Sequence, residues 1–141
     1  MGNTKIVVGY DGSADSKKAL QLAATVAKGL AADLVLLTVL DPGKLIDGDM
    51  YNIEKARATF RHEYGEKLDK AKATMADLGV PVQTEILEGN PAEAILDYVH
   101  KEGALMIVVG TRGLGGFKRL MLGSLAQALV TYADVPVLVA K

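Results

Sequence analysis

Five short apolar runs alternate with four longer stretches of helical periodicity, and this alternation constrains the fold more than any other feature of the chain. Lys5 to Gly9, Leu34 to Leu40, Leu105 to Val109 and Val135 to Ala140 are near-continuous apolar runs of strand length. Val82 to Leu87 alternates in polarity and reads as a partly exposed strand. Between them, Ser13 to Leu30 carries a stripe of Ala19, Ala23, Val26, Ala27 and Leu30, with Gly29 expected to weaken the last turn. Tyr51 to Leu78 reads as one long helix whose buried stripe is Phe60, Tyr64, Leu68, Ala71, Met75 and Leu78, stopped by Gly79 and Pro81. Asn90-Pro91 opens a third helix as cap and first residue, with Ile95, Leu96 and Val99 facing inward, and Leu125 to Ala133 forms the fourth. Strand, helix, strand in repetition predicts an α/β fold: an open five-stranded parallel sheet with helices on both faces, a Rossmann-like arrangement. Strands covered on both sides by helices need the continuous apolar character seen here. At 141 residues the prediction is one domain over 1–141.

A second pattern suggests where chemistry belongs. Gly110 ends the apolar run before it, Gly113 follows, and Gly123-Ser124 stands where the last helix begins. Glycines let backbone approach a ligand without a Cβ between them, and a helix N-terminus offers unpaired N–H groups and the positive end of a dipole to an anion. Two common phosphate loops do not match. Gly110 and Gly115 are followed by Gly116 where a Walker loop needs lysine, and Gly113 and Gly115 are followed by Lys118 where a dinucleotide fingerprint needs glycine. The spacing that does match is Gly-x2-Gly-x9-Gly-Ser/Thr.

That spacing resembles the ATP-binding signature of the universal stress protein family. Asp11-Gly12-Ser13 with Ser16-Lys-Lys-Ala-Leu20 is similar to the family's opening, and Val135-Pro-Val-Leu-Val139 to its closing strand. The resemblance implies strand order 3-2-1-4-5, which sets the ends of the first and fourth strands side by side at the switch point. It also implies an adenine-nucleotide site there. Gly9, Tyr10, Asp11, Gly12 and Ser13 would form one side, with Asp11 at the ribose or at a Mg²⁺ or Mn²⁺ ion held with the phosphates. Val39 would meet the base. Val109, Gly110, Thr111, Arg112 and Gly113 would wrap the ribose and phosphates, and Gly123, Ser124 and the N–H of Leu125 would hold the phosphate chain. The expected role is that of an ATP-binding stress-response regulator, in which ATP or another adenine nucleotide modulates conformation or assembly. Hydrolysis would be slow at most, because no base is assignable. The last strand, apolar on both faces and at the sheet edge under this order, predicts a homodimer through Val135 to Ala140.

Composition excludes several alternatives. The net charge of −1 and the absence of tryptophan argue against a nucleic-acid partner. With no cysteine there is no disulfide, thiolate metal site or cysteine nucleophile. His62 and His100 lie far apart in sequence with no paired spacing, and Asp41, Asp47 and Asp49 lack the EF-hand pattern. Ile6 to Val8 is too short for a signal-peptide core and no apolar run reaches membrane-spanning length, so the expectation is a cytoplasmic protein that does not engage membranes. Two rival readings remain. Asp11-Gly-Ser-Ala-Asp-Ser16 faintly resembles the pyrophosphate loop of adenylating ATP pyrophosphatases, but Ser13 replaces a needed glycine. A nucleotide-independent dimeric interaction module is the other.

Overall fold

The structure, a computed structural model, describes residues 4–45, 52–111 and 122–141. Its elements follow the expected alternation: β1 (Lys5–Gly9), α1 (Ala14–Leu30), β2 (Asp33–Leu40), α2 (Ile53–Thr74), β3 (Val82–Glu88), α3 (Pro91–Glu102), β4 (Met106–Gly110), α4 (Ser124–Tyr132) and β5 (Val137–Ala140). The sheet has five strands in the order β3-β2-β1-β4-β5, and every pairing is parallel.

The strands' two-residue period divides the core into two layers. Ile6, Val8, Leu34, Leu36 and Val108 point to one face, where they pack with the alanines of α1 and with Leu68 and Ala71 of α2. Val7, Val35, Leu37, Ile107 and Val109 point to the other, against Ile95 and Val99 of α3 and Ala126 and Leu129 of α4. Fully burying one such valine or leucine contributes about 1.5–3 kcal/mol, so each layer adds substantially to holding the sheet between its helices. The small side chains of Ala19, Ala23 and Ala27, all fully buried, let α1 lie close against the centre of the sheet. Edge strand β3 alternates between half-buried and exposed positions, as its sequence predicts.

Several boundaries differ from the sequence reading. Helix α1 runs through Gly29 and stops at Leu30, which is exposed. Ala31 takes the left-handed conformation (φ 53°) and donates its N–H back into the last turn. The long helix breaks at Met75 and continues as a separate 3-10 turn, Ala76–Leu78, before Gly79 at φ 71°. Only Leu68 and Ala71 of α2 are buried, with Met75 just beyond. Phe60 and Tyr64, expected in the core, are half-buried. The first half of α2 instead carries ion pairs. Arg57 Nε and Arg61 Nη2 lie 3.2 and 2.7 Å from one Glu88 carboxylate oxygen at the end of β3. The Arg61 hydrogen bond, with the charges of both arginines, holds the Glu88 carboxyl below its usual range. The last strand begins at Val137, two residues later than expected, because Pro136 has no N–H to donate; its carbonyl instead accepts from the Ile107 N–H at 3.0 Å. Among the described residues no helix is long and apolar enough to cross a membrane.

Candidate functional site

In this strand order the chain leaves β1 toward the α1 face and leaves β4 toward the opposite face. Neighbouring strands that diverge in this way open a crevice beyond their C-terminal ends. A cavity of about 850 Å³ lies there, within the range of small-molecule sites.

The β1 side is a tightly bonded turn. The Tyr10 N–H donates to the Leu37 carbonyl (2.9 Å), and the Tyr10 carbonyl accepts from the buried Thr38 hydroxyl, so the end of β1 is clipped to β2. Asp11 Oδ1 accepts from the Ser13 N–H at 2.8 Å, which closes an Asx turn around Gly12 at φ 85°. Ser13 is the N-cap of α1: its Oγ accepts from the Ser16 N–H at 3.1 Å, and the Ser16 hydroxyl donates to the Ser13 carbonyl at 3.0 Å. Asp11 therefore shapes the turn, and Ser13 caps the helix. Burial, reinforced by the negative charge of Asp11, pushes the Tyr10 hydroxyl above its ordinary pKa.

The β4 side is joined to this turn directly. The Thr111 hydroxyl donates to Asp15 Oδ2 in the first turn of α1 at 3.2 Å. Gly110 lies in the same layer as Val108, the layer that faces α1. A Cβ on Gly110 would stand 2.8 Å from the Asp15 backbone. Gly110 lines the crevice and also makes room for the first turn of α1, a packing role the sequence reading did not assign. The Gly123 N–H is also engaged: it donates to the Thr111 carbonyl at 2.7 Å and ties together the two ends of the loop. Gly123 is the N-cap of α4 and the first intrahelical bond runs from the Gln127 N–H to its carbonyl, so the first-turn amides of Ser124 and Leu125 have no acceptor within the helix. Both residues line the crevice, as do Gly9, Tyr10, Asp11, Ser13, Val39, Val109, Gly110, Thr111 and Gly123. Gly12 supports the turn from behind. Arg112 and Gly113 lie outside the described residues.

Sequence reasoning missed much of the remaining wall. Lys44 comes from a 3-10 turn after β2. Asn90 and Pro91 start α3 at the end of β3, with Ile95 one turn on. Phe60 and Tyr64 of α2 close the outer side as a stacked pair with ring centroids 4.2 Å apart. Their one-turn spacing is a helix-face signal, which the sequence alone assigns equally well to core. Neither histidine lines the crevice: His62 pairs with Glu66 on the exposed face of α2 (3.3 Å), and His100 lies in the last turn of α3.

The profile of the universal stress protein family matches residues 2–141. The chain belongs to the universal stress protein family. Among curated relatives, universal stress protein MJ0531 of Methanocaldococcus jannaschii is 36% identical over 97% of this chain and 81% of its own length. Among solved structures, that of hypothetical protein MJ0577 superposes with a TM-score of 0.88 at 26% identity, covering 100% of this chain and 97% of that one. The universal stress protein from Archaeoglobus fulgidus, solved in complex with dAMP, shares the fold with a TM-score of 0.72 at 23% identity, covering 100% of both chains. Universal stress proteins thus provide both the order of elements and the strand topology found here.

The packing at Gly110 gives a direct test. Gly110→Ala should destabilise the protein by about 1–3 kcal/mol in urea unfolding, because the new methyl must displace the α1 backbone. Unchanged stability would show that the first turn of α1 does not rest on Gly110.

Proposed function

We propose that this universal stress protein binds an adenine nucleotide, ATP foremost, in the crevice between the ends of β1 and β4, and acts as a stress-response regulator whose conformation or assembly follows occupancy. The observation that carries the reading is the open cavity at the strand switch, with the amide-bearing start of α4 on one side and the Asp11–Ser13 turn on the other. The positive end of the α4 dipole and the Ser124 and Leu125 N–H groups suit a phosphate. Apolar contacts from Val39, Pro91 and Ile95 suit the base. A solved relative's complex with dAMP is consistent with this ligand class. Arg112 and Gly113 belong to the proposed site by sequence. Asp11 is the proposed protein ligand for a Mg²⁺ or Mn²⁺ ion arriving with the phosphates. The reading takes residues 1–141 as one nucleotide-binding domain working in the cytoplasm.

Binding rather than turnover fits the chemistry of the wall. Efficient phosphoryl transfer needs a group that positions water or a nucleophile, and no histidine stands among the described lining residues. Slow hydrolysis is the most this site would support.

Calorimetric titration of the purified protein with ATP should give saturable binding, and Gly123→Val should abolish it while the circular dichroism spectrum stays native. The Gly123 backbone (φ −61°, ψ 157°) is one that valine adopts without strain, and Gly123 lines the crevice, so the spectrum separates loss of binding from loss of fold. No binding by the wild-type protein would overturn the proposal.

We also propose a homodimer through the last strand. β5 lies at the sheet edge, and Val137, Leu138 and Val139 are only half-buried. Beside it in sequence, Val130 and Tyr132 of α4 are 52% and 72% exposed. Pairing two β5 edges about a two-fold axis would satisfy the free edge and cover these side chains. Sedimentation at micromolar concentration should give a dimer; a strict monomer would refute it.

A further inference from the structure

The reading above places phosphates against the start of α4 and leaves the α2 side of the crevice without a role. Three contacts give it one. The Lys67 ammonium sits 4.4 Å above the centre of the Tyr64 ring. Its aliphatic stem lies along the β1–α1 turn, where a Cβ on Gly12 would stand 3.3 Å from Lys67 Cδ. Tyr64 itself lines the crevice, as do Asp11 and Ser13 on either side of Gly12. Among the described residues Lys67 has no carboxylate partner. The ammonium does not itself line the cavity but stands one ring away from it, against an aromatic face and beside a glycine, and among the described residues no ion pair has to be broken before it can swing to an anion.

We propose that Lys67 is a phosphate-binding residue of this site, and that through it the crevice grades adenine ligands by charge, favouring the triphosphate over the monophosphate and the uncharged nucleoside. The proposal rests on the nucleotide reading of the crevice. The physical reason is preorganisation. A lysine free in solution loses rotamer entropy when it binds, whereas one already seated on a ring and a backbone loses less. A cation–π contact at an exposed site is weak, enough to bias the side chain and too little to prevent it from swinging to a phosphate. Lys44 also borders the cavity, but it is exposed on a 3-10 turn and, among the described residues, no ring seats it. Gly12 gains a second function here: besides taking φ 85°, it leaves the space along which the Lys67 stem runs.

Lys67→Met keeps an unbranched stem over Gly12 and Tyr64 and removes only the charge. Titration with ATP and with adenosine separates charge from packing. Lys28→Met, on the exposed last turn of α1 about 20 Å along the helix, controls for the change in net charge. The expected result is an approximately tenfold loss of ATP affinity in Lys67→Met, adenosine affinity within about twofold of wild type, and a shallower salt dependence of ATP binding. Tyr64→Leu should reproduce part of the ATP loss, since it unseats the ammonium. ATP affinity unchanged in Lys67→Met while the wild type binds would refute the role of Lys67 alone. Equal weakening of ATP and adenosine would also refute it, by showing that the stem and not the charge matters. A wild-type protein that binds neither ligand would overturn both this inference and the nucleotide reading beneath it.

Discussion

The structure depends on the central strand. β1 pairs in parallel with β2 on one side and with β4 on the other, and the chain leaves β1 and β4 toward opposite faces of the sheet. Two adjacent strands with diverging exits leave a gap that no connection fills. The crevice is thus a consequence of topology, fixed before any side chain lining it is chosen. The fully buried side chains of Ile6, Val7 and Val8 hold that strand in register, so its C-terminal end arrives at the gap as a rigid edge.

Around the gap, the backbone is tied down by bonds that serve position first. Thr38 and Leu37 clip the end of β1, Asp11 closes the turn, Ser13 caps α1, and Thr111 bonds Asp15 in the first turn of α1. Gly110 lets α1 come close enough for the last of these bonds to form. A site held this way has little to reorganise when a ligand arrives, and that is the setting in which first-turn amides and a seated lysine are most useful. The outer wall is built differently. Helix α2 buries little apolar surface in its first half, where the half-buried Phe60–Tyr64 stack is accompanied by two arginines beside Glu88.

Much of this was legible in the sequence. The parallel sheet follows from apolar runs alternating with helical stripes, and the strand order came from a family resemblance carried by Asp11-Gly12-Ser13 and the spaced glycines. Of those glycines, Gly110 and Gly123 line the crevice, and both also answer to neighbours in the fold: Gly110 to Asp15, and the Gly123 N–H to the Thr111 carbonyl. A glycine that spares room for a ligand and one that spares room for a neighbouring helix look alike in one dimension. Phe60 and Tyr64 mislead for a similar reason. A one-turn spacing shows that two side chains share a helix face, and it does not say whether that face meets the core or an open cavity. Asn90 and Lys44 were out of reach because their place at the crevice depends on how far β2 and β3 extend before they turn.

The central claim is that an adenine nucleotide settles between the β1 turn and the first turn of α4. Amide hydrogen exchange, measured residue by residue with and without saturating ATP, tests it most directly. Exchange should slow at Gly12 and Ser13 and at Ser124 and Leu125, while the exposed end of α1 near Lys28 is unaffected. Slowing confined to other parts of the sheet, with those four amides unchanged while ATP is demonstrably bound, would contradict it.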